Sequence, residues 1–455
     1  MTLWSFLKKH MIEASGQRLC EHKAKLTFEE LTIFAEAFAK KLKGQKCCGI
    51  YCQSEMASGV ALLSCIAAGV TALPLSYKYG DAHCKKILET ISPTCVICDF
   101  GGELRIFNIS DTAYTEPLVH PAVILCTSGT TGTPKGVMLS EKGILTNLSD
   151  IAEYLLLGKQ DTVLISRPLY HSGVLTGEFL LSLIQGANIV FVSEAFAPAS
   201  LLSIISKKQI TAFGTTPTLL RLLMRFMHNT STLSLKHLMI SGECMDESLG
   251  KQVRMRFPKT RIYHAYGLTE AGPRVSAMPP ALFDTAPNSV GFPLKSVQIK
   301  ILGKEQLPVK EGAVGMLWVR GENVMSGYYN APELTQKHLQ NGWLCTGDLA
   351  TFDCKHGLRI KGRADDLIIR AGVNIYPAEI ESALMQDPRV QDVLARGVST
   401  ENGGVQLLLQ ITGDFESTSE VFHLCQRVLP PYQMPQKIEL LKALRKSANG
   451  KLIRY

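Results

Sequence analysis

Cys126-Thr-Ser-Gly-Thr-Thr-Gly-Thr-Pro-Lys-Gly136 follows directly on the apolar run Ala122-Val-Ile-Leu125. Glycines and hydroxyl residues surround one lysine. Backbone N–H groups in such a segment can converge on anionic oxygens, and Lys135 adds positive charge, so the stretch reads as a phosphate cradle behind a buried strand. The Walker A pattern, G-x-x-x-x-G-K-[ST], does not describe it. Pro134 replaces the glycine before the lysine, and Gly136 replaces the hydroxyl that would hold magnesium. The plain alternative is a surface turn between a strand and a helix.

The rest of the chain narrows the class. At 455 residues it exceeds one ordinary core and suggests about three domain-sized units. The longest apolar stretch, Gly59 to Leu75, is interrupted by Ser64 and Pro74 and is too short for a membrane span. The beginning, Met-Thr-Leu-Trp-Ser-Phe-Leu-Lys-Lys-His10, lacks the parts of a secretory signal, and Leu3, Phe6 and Leu7 read as a short amphipathic helix. No stable membrane insertion and a cytoplasmic location are the expectation. Lysine and arginine total 48 against 40 acidic residues, net +8, yet no dense basic run or nucleic-acid signature appears. That balance equally suits an enzyme collecting anionic nucleotides. Of 13 cysteines, Cys95 and Cys98 spell C-x-x-C without a second ligand pair, which reads as reduced thiols in hydrophobic strands rather than a zinc site.

Short β-rich runs alternate with helical patterns, the signature of an α/β protein. Helices are expected over 27–42, 56–68 and 82–91, with Leu31, Phe34, Phe38 and Leu42 forming the inner face of the first. Strands are expected at 48–52, 71–75, 94–98, 162–165, 188–192 and 237–240. From about Val297 the pattern turns to alternating antiparallel strands, 297–301 and 314–320. A boundary near Asp365 divides the chain into residues 1–364 and a compact β/α tail, 365–455, in which Pro377-Ala-Glu-Ile-Glu381 opens a helix.

Four further polar clusters punctuate the chain: Tyr266-Gly-Leu-Thr-Glu270, Thr346-Gly-Asp348, Gly362-Arg-Ala-Asp365 and Asn449-Gly-Lys451. Each alone is a common turn composition. In this order, and with Leu26-Thr-Phe-Glu-Glu-Leu31, Pro168-Leu-Tyr-His-Ser172, Ser241-Gly-Glu243 and Gly372-Val-Asn-Ile-Tyr-Pro-Ala-Glu-Ile-Glu381, they resemble the adenylate-forming superfamily of acyl- and aryl-CoA synthetases, peptide-synthetase adenylation domains and firefly-type luciferases. The compact length is similar to that of o-succinylbenzoate–CoA ligases. The resemblance implies a large N-terminal domain of stacked α/β subdomains plus a small β-rich subdomain, and a smaller mobile α+β C-terminal domain. It also implies ATP, Mg2+ and coenzyme A. A carboxylate attacks the α-phosphate of ATP, pyrophosphate leaves, and a thiol displaces AMP from the acyl-adenylate.

Residue by residue, the resemblance gives the phosphate loop to Thr127, Ser128, Gly129, Thr130, Thr131, Gly132 and Lys135. It gives α-phosphate contact to Thr269, the magnesium to Glu270, and the ribose hydroxyls to Asp348 with Arg363 in support. Gly242, Glu243 and Cys244, with Ala265, Tyr266 and Gly267, would flank adenine. Lys451 would bridge the acyl carboxylate and α-phosphate, Asp365 would be the hinge, and Gly372 would border the pantetheine path. Leu444-Arg-Lys-Ser-Ala-Asn-Gly450 departs from the usual L-P-[RK]-T form before that lysine.

The acid would sit between His171, Phe213-Gly-Thr-Thr-Pro217, Ser241-Gly242 and the strand around Tyr266, with His171 either a gate or a core histidine. No counterpart of the aspartate that grips an amino acid's α-amino group stands near 171–180. The resemblance therefore favours a small-molecule carboxylic acid over a plain amino acid. Arg274, just past the magnesium motif, either meets a second carboxylate or polar group on the acid or is a rim charge. Coenzyme A or an acyl carrier protein would accept the acyl group, from a monomer or homodimer. A non-catalytic nucleotide-binding relative and a luciferase-like oxygenase are the competing readings.

Overall fold

The computed structural model describes residues 1–109, 113–128, 134–192, 197–227, 234–370, 373–399, 405–446 and 452–454. Two large sheets carry the architecture. In the first, six strands run parallel, in the order Arg261–Gly267, His237–Ser241, Ala212–Thr215, Thr162–Ile165, Asn188–Phe191 and Arg18–Glu21. Antiparallel strands close both edges: Arg274–Ala277 and Phe292–Pro293 on one side, Ala24–Thr27 on the other. In the second sheet, Val123–Ser128, Thr71–Pro74, Cys47–Tyr51 and Cys95–Phe100 are parallel, and antiparallel strands again form the edges. Parallel strands are buried on both faces, which is why His237–Ser241 and Thr71–Pro74 are buried at every position.

Helices fill the space around these sheets because their sequences can bury a whole face. Glu55–Ala68 is buried continuously from Ser58 to Ile66, as its nearly uniform small and apolar composition requires. Leu3–Glu13 buries Leu3, Leu7 and Met11, while Phe6 is only partly covered. Phe28–Lys41 begins with a reciprocal capping box between Thr27 and Glu30, worth about 1 kcal/mol. Its inner face is Leu31, Ala35 and Phe38, with Leu42 just beyond. Phe34, expected inside, is 52% exposed, because the 31-35-38-42 stripe turns it to solvent.

The phosphate-loop segment also sits differently from a strand-to-helix turn. Val123–Ser128 is followed by Pro134–Leu139, and the two pair antiparallel, with Thr127 opposite Lys135. The segment therefore joins two strands of one sheet.

Gln298–Leu302, Gly315–Arg320, Leu339–Gln340, Trp343–Asp353 and Gly357–Arg363 make a separate antiparallel sheet, as their alternation predicts. Near the end of the chain, Val390–Ser399, Val405–Gly413 and Lys437–Leu440 form a three-stranded sheet. It shares its own apolar cluster with the helices Pro377–Leu384 and Thr418–Val428. Among the described residues no helix is long and apolar enough to cross a membrane.

Candidate active site

The C-terminal ends of the parallel strands of the first sheet deliver the polar motifs. Ligands of open α/β sheets gather at such ends. Arg261–Gly267 ends on Tyr266 and Gly267, and the Tyr266 hydroxyl donates to Asp348 Oδ2 at 2.5 Å. Asp348 belongs to Trp343–Asp353 of the antiparallel sheet and is 8% exposed. Its register partner is Arg363, whose Nη1 donates to Thr346 O at 2.8 Å and reaches Asp348 Oδ1 at 3.4 Å. The Thr346 hydroxyl accepts from Asp348 N at 3.0 Å and donates to Leu317 O, which fixes the turn. Gly347 has φ +75, and a Cβ there would lie 2.7 Å from Arg363 Nη2, so only glycine lets the guanidinium lie over this backbone.

Electrostatics keep this trio in defined roles. Burial pushes the Asp348 carboxyl above its ordinary range, opposed by the Arg363 charge and the Tyr266 hydroxyl. Burial and the Asp348 charge push the Tyr266 phenol well up, so it remains a donor. His264, on the same strand and fully buried, is pressed down to about 4 by burial and is neutral.

Thr269, Glu270 and Ala271 form a single tight turn after that strand. Glu270 Oε1 accepts from the Tyr328 hydroxyl at 3.0 Å, and Glu270 O accepts from Met325 N at 2.9 Å. Tyr328 lies on the two-residue strand Gly327–Tyr328, paired with Val137 and Met138 beyond the phosphate-loop segment. Lys135 Nζ stands 5.9 Å from the centroid of the same tyrosine ring. The loop lysine and the Glu270 carboxylate thus meet around one aromatic side chain.

Ser172 Oγ donates to Thr269 Oγ1 at 3.3 Å, which ties the start of the 172–185 helical segment to the Glu270 turn. His171 immediately precedes that segment, its ring 4.0 Å from that of Tyr170. Gly242 has φ +94 and turns the chain after His237–Ser241. The Glu243 carboxylate accepts from Thr218 N at 2.9 Å at the start of the helix Pro217–Phe226, so its side chain serves that helix. Cys244 is exposed and Ala265 buried. Gly267 follows Tyr266 and pairs with Arg274.

Gly129, Thr130, Thr131, Gly132, Gly372 and Lys451 lie outside the described residues, and Ser128 is described only as strand backbone. Arg274, for which a rim position was one alternative, is not a rim charge, being 6% exposed. Tyr328 is the site residue that sequence reasoning misses; its only signal is the aromatic pair Tyr328-Tyr329 near a glycine, which does not announce a partner at Glu270. Among the described residues no group of three or more His, Cys, Asp or Glu side chains converges as a metal cage. Glu270 is one carboxylate at an open turn, a donor set suited to an ion that takes its other oxygens from a polyphosphate and water.

The match to the description "AMP-binding enzyme" extends over residues 13–329, and that to "AMP-binding enzyme C-terminal domain" over 379–451. The chain is 33% identical over 350 residues to a long-chain-fatty-acid–CoA ligase of Escherichia coli O157:H7, covering 75% of this chain and 62% of that one. It thus spans less than two thirds of the length of that relative. A sulfoacetate–CoA ligase of Cupriavidus necator is 27% identical over 433 residues, 92% of this chain and 84% of the relative. Among solved structures, o-succinylbenzoate CoA synthetase from Bacillus subtilis in complex with its acyl-adenylate superposes with a TM-score of 0.86. It is 26% identical, and the match covers 100% of this chain and 97% of that one. The large α/β N-terminal region and small C-terminal region match that fold. This chain belongs to the AMP-binding enzyme family.

Proposed function

We propose that this chain is an ATP-dependent carboxylic acid–CoA ligase that forms an acyl-adenylate and then a thioester. The observation that carries the reading is the buried Asp348 carboxylate, held by Tyr266 and Arg363 beside the Glu270–Tyr328 pair. A carboxylate has about four lone-pair sites, and these contacts use one on each oxygen. One site per oxygen is left for a vicinal diol, the pattern a ribose presents. Tyr266 would give its ring face to adenine while its hydroxyl keeps Asp348 in place.

The phosphates would then run toward Thr269, Glu270 and Lys135. A magnesium ion, when bound, supplies positive charge to the polyphosphate, and Glu270 is the residue that would hold it. Lys135 and the backbone of 127–136 would follow pyrophosphate as it leaves. Lys451, carried over from the resemblance alone, would bridge the acid and the α-phosphate. Catalysis of this kind consists of positioning and fixed charge.

The relatives' names cover long-chain fatty, feruloyl, sulfoacetate and o-succinylbenzoate activation, and support acid–CoA ligation as the common reaction. The domain division at 364/365, a hinge at Asp365, a cytoplasmic location and coenzyme A as acceptor belong to the same proposal. The test is ATP–pyrophosphate exchange over a panel of fatty, aryl and short polar acids, followed by thioester formation with coenzyme A or a phosphopantetheinyl carrier protein. Exchange with no acid would favour a non-catalytic nucleotide-binding protein. Transfer only to carrier protein would reassign the acceptor.

A further inference from the structure

Arg274 is the one lysine or arginine among the described residues that is fully buried, at 6% exposure. Its Nε has no hydrogen-bond partner. Among the described residues no carboxylate lies within salt-bridge distance of it. Other inward-facing arginines in this molecule are paired: Arg167 with Glu178, Arg221 with Asp246, and Arg254 with Asp284 and three carbonyls. Removing a guanidinium from water without a counter-charge costs several kcal/mol. The polar neighbour it does have is the Tyr154 hydroxyl, which carries no charge to offset it.

The backbone around Arg274 is held firmly. Its N–H donates to Asn147 Oδ1 at 3.0 Å, and its carbonyl accepts from Asn147 Nδ2 at 2.8 Å and Asn323 Nδ2 at 3.0 Å. The side chain is thereby aimed at two glycines. A Cβ at Gly177 would lie 3.3 Å from Nη2, and one at Gly173 3.8 Å from Nη1. At Gly173 no other described side chain outside its immediate chain neighbours lies within 4 Å of that position. Glycine within a helix is worth about 1 kcal/mol less than alanine, so two of them four residues apart give the Arg274 guanidinium room to lie against this segment at a cost in stability. This helical segment takes the wider π spacing over Leu175–Leu180, a feature often found at functional sites. Its first residue, Ser172, is the one bonded to Thr269. Arg274 thus lies against the same helical segment whose first residue is tied to the Thr269–Glu270 turn. The neighbouring carboxylate, Glu178, is already engaged by Arg167.

We propose that the acid activated here carries a second anionic group, a carboxylate or sulfonate, which Arg274 receives on its Gly173 side. This rests on the ligase reading above and names its substrate class: a short dicarboxylate, a carboxylated aryl acid or a sulfonated acid. A long apolar chain would run its methylenes against an unpaired buried cation and is excluded.

The experiment is pyrophosphate exchange with matched pairs: glutarate against pentanoate, phthalate against benzoate, and 3-sulfopropionate against butyrate, with palmitate as the long-chain arm. The best dianionic acid should exceed its monoanionic partner by about 10²-fold in kcat/KM, since a site built for a polar group rejects the analogue lacking it. Arg274→Met should collapse that ratio at least tenfold, chiefly through KM for the dianionic acid. Arg274→Lys should retain part of it. Equal loss for both members of a pair in Arg274→Met would make the residue structural and overturn the proposal. If that variant does not fold, the wild-type ratios decide: preference for palmitate or the monoanionic partners overturns the inference while leaving the ligase reading intact. Exchange with no acid at all removes the ligase reading, and this inference with it.

Discussion

Replacing Asp348 by asparagine tests the nucleotide site with little change of shape. In the structure Oδ2 accepts from Tyr266 and Oδ1 from Arg363, and the residue is 8% exposed. The substituted amide would keep one acceptor oxygen, which the Tyr266 hydroxyl would claim, and would turn its N–H2 toward Arg363 and the ribose. Hydrogen bonds to a charged acceptor contribute about 1.5–3 kcal/mol each. The ribose bond on the nitrogen side is lost outright and the one left on the amide oxygen loses its charge assistance, together about 3 kcal/mol, or roughly 10²-fold at about 1.4 kcal/mol per decade. The assay is a cycle of four kcat/KM values by pyrophosphate exchange: wild type and Asp348→Asn, each with ATP and with 2′,3′-dideoxy-ATP. Each single change should cost about 10²-fold, and the two together only about threefold more, because they remove the same bonds. Losses that multiply to about 10⁴-fold would refute the pairing of Asp348 with the diol.

Lys451→Ala should lower adenylate formation by roughly 10²-fold or more, as loss of a transition-state donor does, while supplied acyl-adenylate is still consumed by thiol; rapid-quench assay of each half-reaction separates the two, and equal losses would count against the bridging role. Asp365→Pro should spare pyrophosphate exchange and impair thioester formation if the small domain turns at that residue; unimpaired thioester formation removes the hinge. His264 is held neutral by burial with its ionisation pressed from 6.5 to about 4. The unfolded chain takes up that proton first as acid is added, so the stability tied to neutral His264 is complete above about pH 6.5 and falls away toward about pH 4, by roughly 3 kcal/mol. Urea titrations at several pH values should show a shallower slope across that window in His264→Leu, and an unchanged slope would place the acid sensitivity elsewhere.

What the sequence discloses and what it hides divide along physical lines. The parallel strands are legible because burial on both faces demands unbroken apolar runs, and Thr162–Ile165 and Asn188–Phe191 begin where their composition says they should. Phe34 is misplaced by periodicity because a helix offers several candidate stripes, and only the packed neighbour decides which is inner. The strand Gly327–Tyr328 is too short to show any period, and its partner lies almost two hundred residues earlier, so the Tyr328–Glu270 bond has no local signature. Arg274 stands out as a residue type, but its burial depends on Asn147 and Asn323, which come from distant parts of the chain. The fold-level motifs are local in sequence; the contacts that give them chemistry are not.

The Tyr328 side chain has a further consequence. Its ring faces the Lys135 ammonium while its hydroxyl occupies one oxygen of Glu270. An ammonium and a carboxylate brought to one spot would ordinarily neutralise each other, and an incoming nucleotide would have to break that pair. The phenol acts as an insulator: it gives the cation a quadrupole and the anion a proton, and keeps them apart. Among the described residues no salt bridge joins Lys135 to Glu270, so on the proposed reading both charges remain for a polyphosphate and its metal.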